Sequence, residues 1–235
     1  MPKPPAPYAG GVEESSFAGA VEEDRVAALP RSLWERVRDD PARAPEHIAL
    51  AAAERFAPPA DRWARRMHGH HPPPELARIA RKHHVRLSRL EGGIAGIGGA
   101  FTVAPDLAAL AWIQGRMVFF LAAAYGFDPR LPMRPAELLA LQGVYPTAAE
   151  ARAGLDGVGR PMAVQYLASK QAREEALTRR LLKMAGRTVV KRTAYRVVPF
   201  LSAPVAAATN GRATGQLADA TIAYYGGAWQ SGAAL

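Results

Sequence analysis

The stretch Gly92-Gly-Ile-Ala-Gly-Ile-Gly-Gly-Ala-Phe101, with the apolar run from Thr102 to Phe127 behind it, constrains this chain more than any other feature. Between Gly92 and Phe127 only Asp106 and Arg116 carry a formal charge. On a helix, residues three and four apart share a face, so Gly92, Gly96 and Gly99 fall together and Ile94, Ile97 and Phe101 fall opposite. Each glycine costs a helix about 1 kcal/mol relative to alanine. A segment that carries several is expected to recover that cost by letting a neighbouring helix approach closely. A second such surface lies far downstream, where Ala208, Gly211, Gly215 and Ala218 recur at helical spacing. The two glycine-smoothed helices are expected to meet, or to pack on the same central helix.

Period-two alternation is scarce and alanine abundant in a chain that is 49% apolar, which favours helix throughout. The expected fold is all-α: a single compact multi-helix bundle with glycine-rich apolar central helices. Residues 1–25, rich in proline and acid, read as a flexible tail, 26–228 as the helical domain and 229–235 as a C-terminal tail. Short helices are expected at 31–40, 44–56 and 60–67, broken by Pro41, Pro45 and the Pro58-Pro59 pair. Residues 68–74 read as a loop. The segment 75–91 is amphipathic, with Leu76, Ala80, His83, Leu87 and Leu90 as its inner stripe. Proline suits a first helical turn, so the next helix is expected to start near Thr102–Pro105, with Asp106 in that turn, and to run to Tyr125, where Gly126 caps it. Helices follow at 135–141, at 147–155 with Thr147 and Glu150 at capping-box spacing, at 161–185 and at 188–198. Pro199 and Pro204 are expected to bracket a turn before the last helix, 205–225.

A formal charge of +9 and a pI near 10.2 suit an anionic partner. Arg78, Arg81, Lys82 and Arg86 form one basic group, and Lys191 and Arg192 belong to a second. Each is either a membrane-facing surface or a solvated helix face. No nucleic-acid-binding motif is recognisable, and basic surface coincides with apolar helices, which points to membrane before nucleic acid. With no cysteine, thiolate chemistry and disulfides are excluded. No leader segment is visible, and the uncharged windows 92–105 and 197–211 are too short to span a bilayer and contain proline. The expected location is cytoplasmic, with peripheral attachment to the membrane.

Walker, G-x-S-x-G and dinucleotide-binding patterns are absent, and no catalytic residue or cofactor is assigned. His68, His70, His71, His83 and His84 are the residues that could hold a metal. The first three lie in an exposed loop without an accompanying carboxylate, and His83 on an apolar stripe reads as a core histidine. Gly92, Gly96 and Gly99, with Asp106, Arg116 and Asn210, either line a site for a lipid-like ligand or pack and satisfy one another inside the bundle.

One set of these residues resembles the EcsC family, named for a protein encoded beside an ABC transporter in bacteria. It comprises the Lys82-His-His…Leu90-Glu-Gly-Gly-Ile-Ala-Gly-Ile-Gly-Gly block, Pro105-Asp106, Arg116, Tyr125-Gly-Phe-Asp128, Lys191-Arg192, Val198-Pro199, Asn210 and Tyr224-Tyr225. The resemblance spans roughly residues 60 to 226. It implies a bacterial helical protein that acts near membranes or membrane transporters, with no catalytic residues to carry over. The expected role is therefore non-enzymatic: binding an anionic membrane or a lipid-like apolar molecule at the cytoplasmic face. The alternatives are an accessory partner of an ABC-type transporter and a metal-dependent enzyme built on the histidines.

Overall fold

The computed structural model describes residues 29–95, 103–157, 180–181, 183–184 and 199–232; within these, the side chains of 91–95, 103–106, 199–207 and 209 are not described. Among the described residues seven α-helices can be delimited and no strand occurs. They are α1 (Arg31–Asp39), α2 (Ala44–Met67), α3 (Pro73–Ala95), α4 (Val103–Ala124), α5 (Arg134–Leu141), α6 (Ala148–Leu155) and α7 (Pro199–Gln230), with a 3-10 turn at Pro41–Arg43. The expected segments 1–25, 161–179 and 188–198 lie outside the described residues, and so do Gly96, Gly99, Lys191 and Arg192.

Helix α4 is the axis of the bundle. It packs against α2, α3 and α7, with α5 at its edge. By length and composition Leu107–Ala124 could cross a bilayer, yet it is 94% buried inside the protein. Its apolar surface therefore faces protein. At its C-terminus Gly126 takes φ +84°. The Gly126 amide donates to the Ala123 carbonyl (3.0 Å) and the Phe127 amide to that of Ala122 (3.1 Å). This is the Schellman arrangement, and it places glycine where a Cβ would be strained.

Helix α2 corrects one expectation. It runs unbroken for 24 residues through Pro58 and Pro59. The amides that these prolines lack would have met the carbonyls of Glu54 and Arg55, both exposed residues that water can reach. Contacts on either side of the pair hold the helix to α4: Phe56 lies 4.7 Å from Trp112 and Trp63 5.4 Å from Phe120, centroid to centroid. Aromatic burial of this kind outweighs the loss of two hydrogen bonds that solvent can replace.

In α3, helix begins at Pro73, so two of the three prolines form its first turn, where the missing amide has no partner to lose. The inner stripe also differs from expectation. Leu76, Ala80, His84 and Ser88 are fully buried at strict four-residue spacing, with Ala77 and Val85 beside them. Leu87 is half-buried and Leu90 is 59% exposed. A helix that packs along i, i+4 ridges winds its buried row around the axis, so a stripe drawn at mixed spacing drifts off it.

The expected turn at Pro199–Pro204 is helix. Helix α7 starts at Pro199, includes Pro204 and continues to Gln230. Pro204 forfeits one hydrogen bond near the helix start, and the buried row Ala213, Thr214, Leu217, Ala218, Thr221 and Tyr225 anchors the rest. Helices α3 and α7 pack on each other and on α4, while the glycine run from Gly96 on lies outside the described residues. Arg81 contacts Asp219 and Arg89 lies against Gly211, so the two run antiparallel.

Candidate functional site

The structure brings polar residues together in three places. The first is inside the bundle, between α2, α3 and α4. Arg116 is 2% exposed, and its guanidinium carbon sits 5.8 Å from the Phe56 ring centroid and 5.4 Å from that of Phe120. A guanidinium stacked on aromatic faces keeps part of the stabilisation that water would give it. His84 is fully buried, 5.3 Å from Phe120 and 5.2 Å from His83 ring to ring. His84 Nδ1 lies 2.7 Å from the Ala80 carbonyl. Burial, and then the nearby Arg116 charge, hold both imidazoles below their ordinary range: His83 at about 4, and His84 well below 6.5 despite the Ala80 contact. Both rings are neutral at pH 7. The core histidine is thus His84, one position from the expected one, because the buried row runs through residues 80, 84 and 88.

The other expected ligand-facing residues lie on α3, α4 and α7, with Gly96 and Gly99 outside the described residues. Asn210 is buried on α7. Asp106 lies in the first turn of α4, as expected, and Gly92 near the end of α3, with their surroundings outside the described residues. His68 Nε2 sits 3.0 Å from the Ala124 carbonyl, the last of α4, and so satisfies a helix-end acceptor. His71 faces Glu75 at 3.6 Å, and His70 is exposed. Among the described residues no three histidine or carboxylate side chains converge in a way that could hold a metal ion.

The second place is a lock between α5 and α7 that sequence reasoning missed. Glu137 accepts from the Tyr225 hydroxyl (2.5 Å), from the Tyr224 hydroxyl (3.3 Å) and from Arg134 (2.6 Å). Arg134 also donates to the Asp128 carbonyl and stacks on Phe127 and Tyr225. Burial and the Glu137 carboxylate push the Tyr225 phenol well above its usual range. The Gly-Phe-Asp and Tyr-Tyr segments are therefore two halves of one internal contact. The tyrosine pair was visible in the sequence; its carboxylate partner, 88 residues away, carried no local signal.

The third place is the outer surface of α3. Arg78 pairs with Glu75 at 3.3 Å. Arg81 does not simply face solvent: Nε and Nη2 donate to the two oxygens of Asp219 at 2.7 and 3.0 Å. Lys82, Arg86 and Arg89 are exposed, and so is Leu90. Lys82, Arg86 and Leu90 stand at i, i+4 and i+8, on one face of the helix.

The family model that matches this sequence is that of the EcsC protein family, over residues 74–226. Neither a comparison with curated proteins nor one with solved structures gave a match. The matched span opens in the first turn of α3, takes in the histidine pair, Arg116 and the Glu137 lock, and closes just past Tyr225, leaving α1 and α2 outside it. A match over most of the chain places it: this protein belongs to the EcsC family.

Proposed function

We propose that this EcsC-family protein binds the surface of an anionic bilayer through the outer face of α3, without crossing the bilayer. The observation that carries this reading is Leu90, 59% exposed, on the same face as exposed Arg86 and Lys82. An apolar side chain left in water beside cations suits an interface where anionic head groups lie above hydrocarbon. Each basic residue near such a surface contributes about 1 kcal/mol, and burying Leu90 contributes on the order of 2 kcal/mol. Beyond Leu90 and Glu91 the chain carries no charge from Gly92 to Pro105, which extends the apolar character of this end of α3. Burial of α4 supports attachment over insertion, since among the described residues the one helix with the composition of a span is covered by its neighbours.

Vesicle flotation tests the proposal. The protein is expected to float with phosphatidylcholine vesicles that contain phosphatidylglycerol, not with phosphatidylcholine alone, and to detach as salt rises toward about 0.5 M, where charges more than a few ångströms apart are screened. Leu90→Asp and the pair Lys82→Glu, Arg86→Glu are each expected to abolish flotation while leaving the circular dichroism unchanged. Absence of binding to anionic vesicles at low salt would sink the reading.

A further inference from the structure

The seam between α3 and α7 carries a feature that surface attachment alone does not use. Arg81 and Arg89 both lean across it, eight residues and so about 12 Å apart along α3. Each lies over a glycine of α7. A Cβ on Gly211 would meet Arg89 Cγ at 2.5 Å and Nε at 2.6 Å, and a Cβ on Gly215 would meet Arg81 Nη2 at 3.6 Å. Gly211 therefore makes room for the Arg89 stem, while Arg81 lies at ordinary contact distance over Gly215. Asp219, one turn past Gly215, engages Arg81 through two parallel N–H···O bonds of 2.7 and 3.0 Å. Arg89 has no ion-pair partner among the described residues.

We infer that Asp219 stands in for a lipid phosphate: the α3–α7 seam takes the phosphodiester head group of an anionic bilayer lipid between Arg81 and Arg89, and Asp219 occupies the Arg81 fork until that head group displaces it. The inference rests on the membrane reading above. A guanidinium fork fits two oxygens of a phosphate as it fits those of a carboxylate. The exchange costs little, because the side chains of Arg81 and Asp219 are 37% and 61% exposed, and exposed pairs hold weakly. The ligand is a lipid rather than a soluble anion because the row 81, 85, 89 adjoins the row 82, 86, 90, which ends in exposed Leu90. A head group in the fork thus brings its acyl chains to an apolar side chain.

The test compares full-length wild type, Asp219→Asn, Arg81→Gln, the double variant Asp219→Asn/Arg81→Gln, and Asp156→Asn on phosphatidylglycerol-containing vesicles. Asp156 serves as the control because it holds Arg152 in a similar solvent-exposed fork (2.9 and 2.6 Å) at the C-terminal end of α6. Asp219→Asn is expected to raise the partition coefficient about five-fold, the contribution of one added cation at an anionic surface. Asp156→Asn is expected to raise it by less than half of that, and Arg81→Gln to cancel the Asp219→Asn gain. Equal gains for the two aspartate variants, or a gain that survives in the double variant, would overturn the inference while wild-type binding keeps the membrane reading. Inorganic phosphate that strips the protein from vesicles at low millimolar concentration would overturn the lipid assignment in favour of a soluble anion. If no variant binds, the inference and the membrane reading fall together.

Discussion

Gly154, Gly211 and Gly215 all lie in helices, and their neighbours give each a different tolerance for a methyl group. At Gly154 a Cβ would collide with the hydroxyl end of Tyr145, whose own bond to Glu46 is 2.6 Å long. Gly154→Ala is expected to lower stability by about 1–3 kcal/mol in urea unfolding, since the ring has to leave a packed position. At Gly215 the nearest atom sits at ordinary contact distance, so Gly215→Ala is expected to raise stability by up to about 1 kcal/mol through helix propensity. At Gly211 the same change has to push the Arg89 stem aside, and the propensity gain is expected to vanish. Tyr145 also gives an alkaline signature. Burial first, and then its bond to Glu46, raise its phenol to about 12. Because the folded state holds that proton more tightly than the unfolded chain, the stability it contributes is complete below about pH 10 and is lost as pH rises toward 12. Tyr145→Phe is expected to flatten unfolding midpoints over that window. At this scale the sequence was only half legible: it marked the small residues of α7 but not what lies on them, since Arg81 and Asp219 are 138 positions apart.

Whole elements were legible where their signals are local. Thr147 caps α6, its Oγ1 accepting the Glu150 amide at 3.2 Å, and Gly126 ends α4, because a cap is decided within four or five residues. Thr147→Ala is expected to cost about 1 kcal/mol in the same unfolding assay. The Pro58-Pro59 break misled because packing against α4 on both sides of the pair outweighs local propensity, and the Leu90 end of the α3 stripe misled because the buried row follows four-residue spacing. The Glu137 lock belongs to this scale too, since it ties α5 to α7. Glu137→Gln would leave Arg134, only 6% exposed, without its counter-charge, and is expected to destabilise by about 3–5 kcal/mol, read as a lowered urea midpoint.

For the whole molecule, the histidine pair against Arg116 links the core to acid. The folded state holds His83 at about 4 and His84 well below its usual range, whereas the unfolded chain takes up protons near 6.5. Stability is therefore expected to be complete above pH 6.5 and to fall as pH drops from there toward 4, in a single transition because the helices share one core. His84→Gln is expected to weaken that pH dependence in urea unfolding followed from pH 7 to pH 4. The central position of α4 has a further consequence, in time rather than in space. The ribosome completes α4 well before α7, the helix that closes over it. At roughly 5–20 residues per second, a nascent chain carries a half-wrapped greasy rod for several seconds. In that interval the side of the rod that α7 will cover is exposed apolar surface, and the exposure ends only when the last helix emerges.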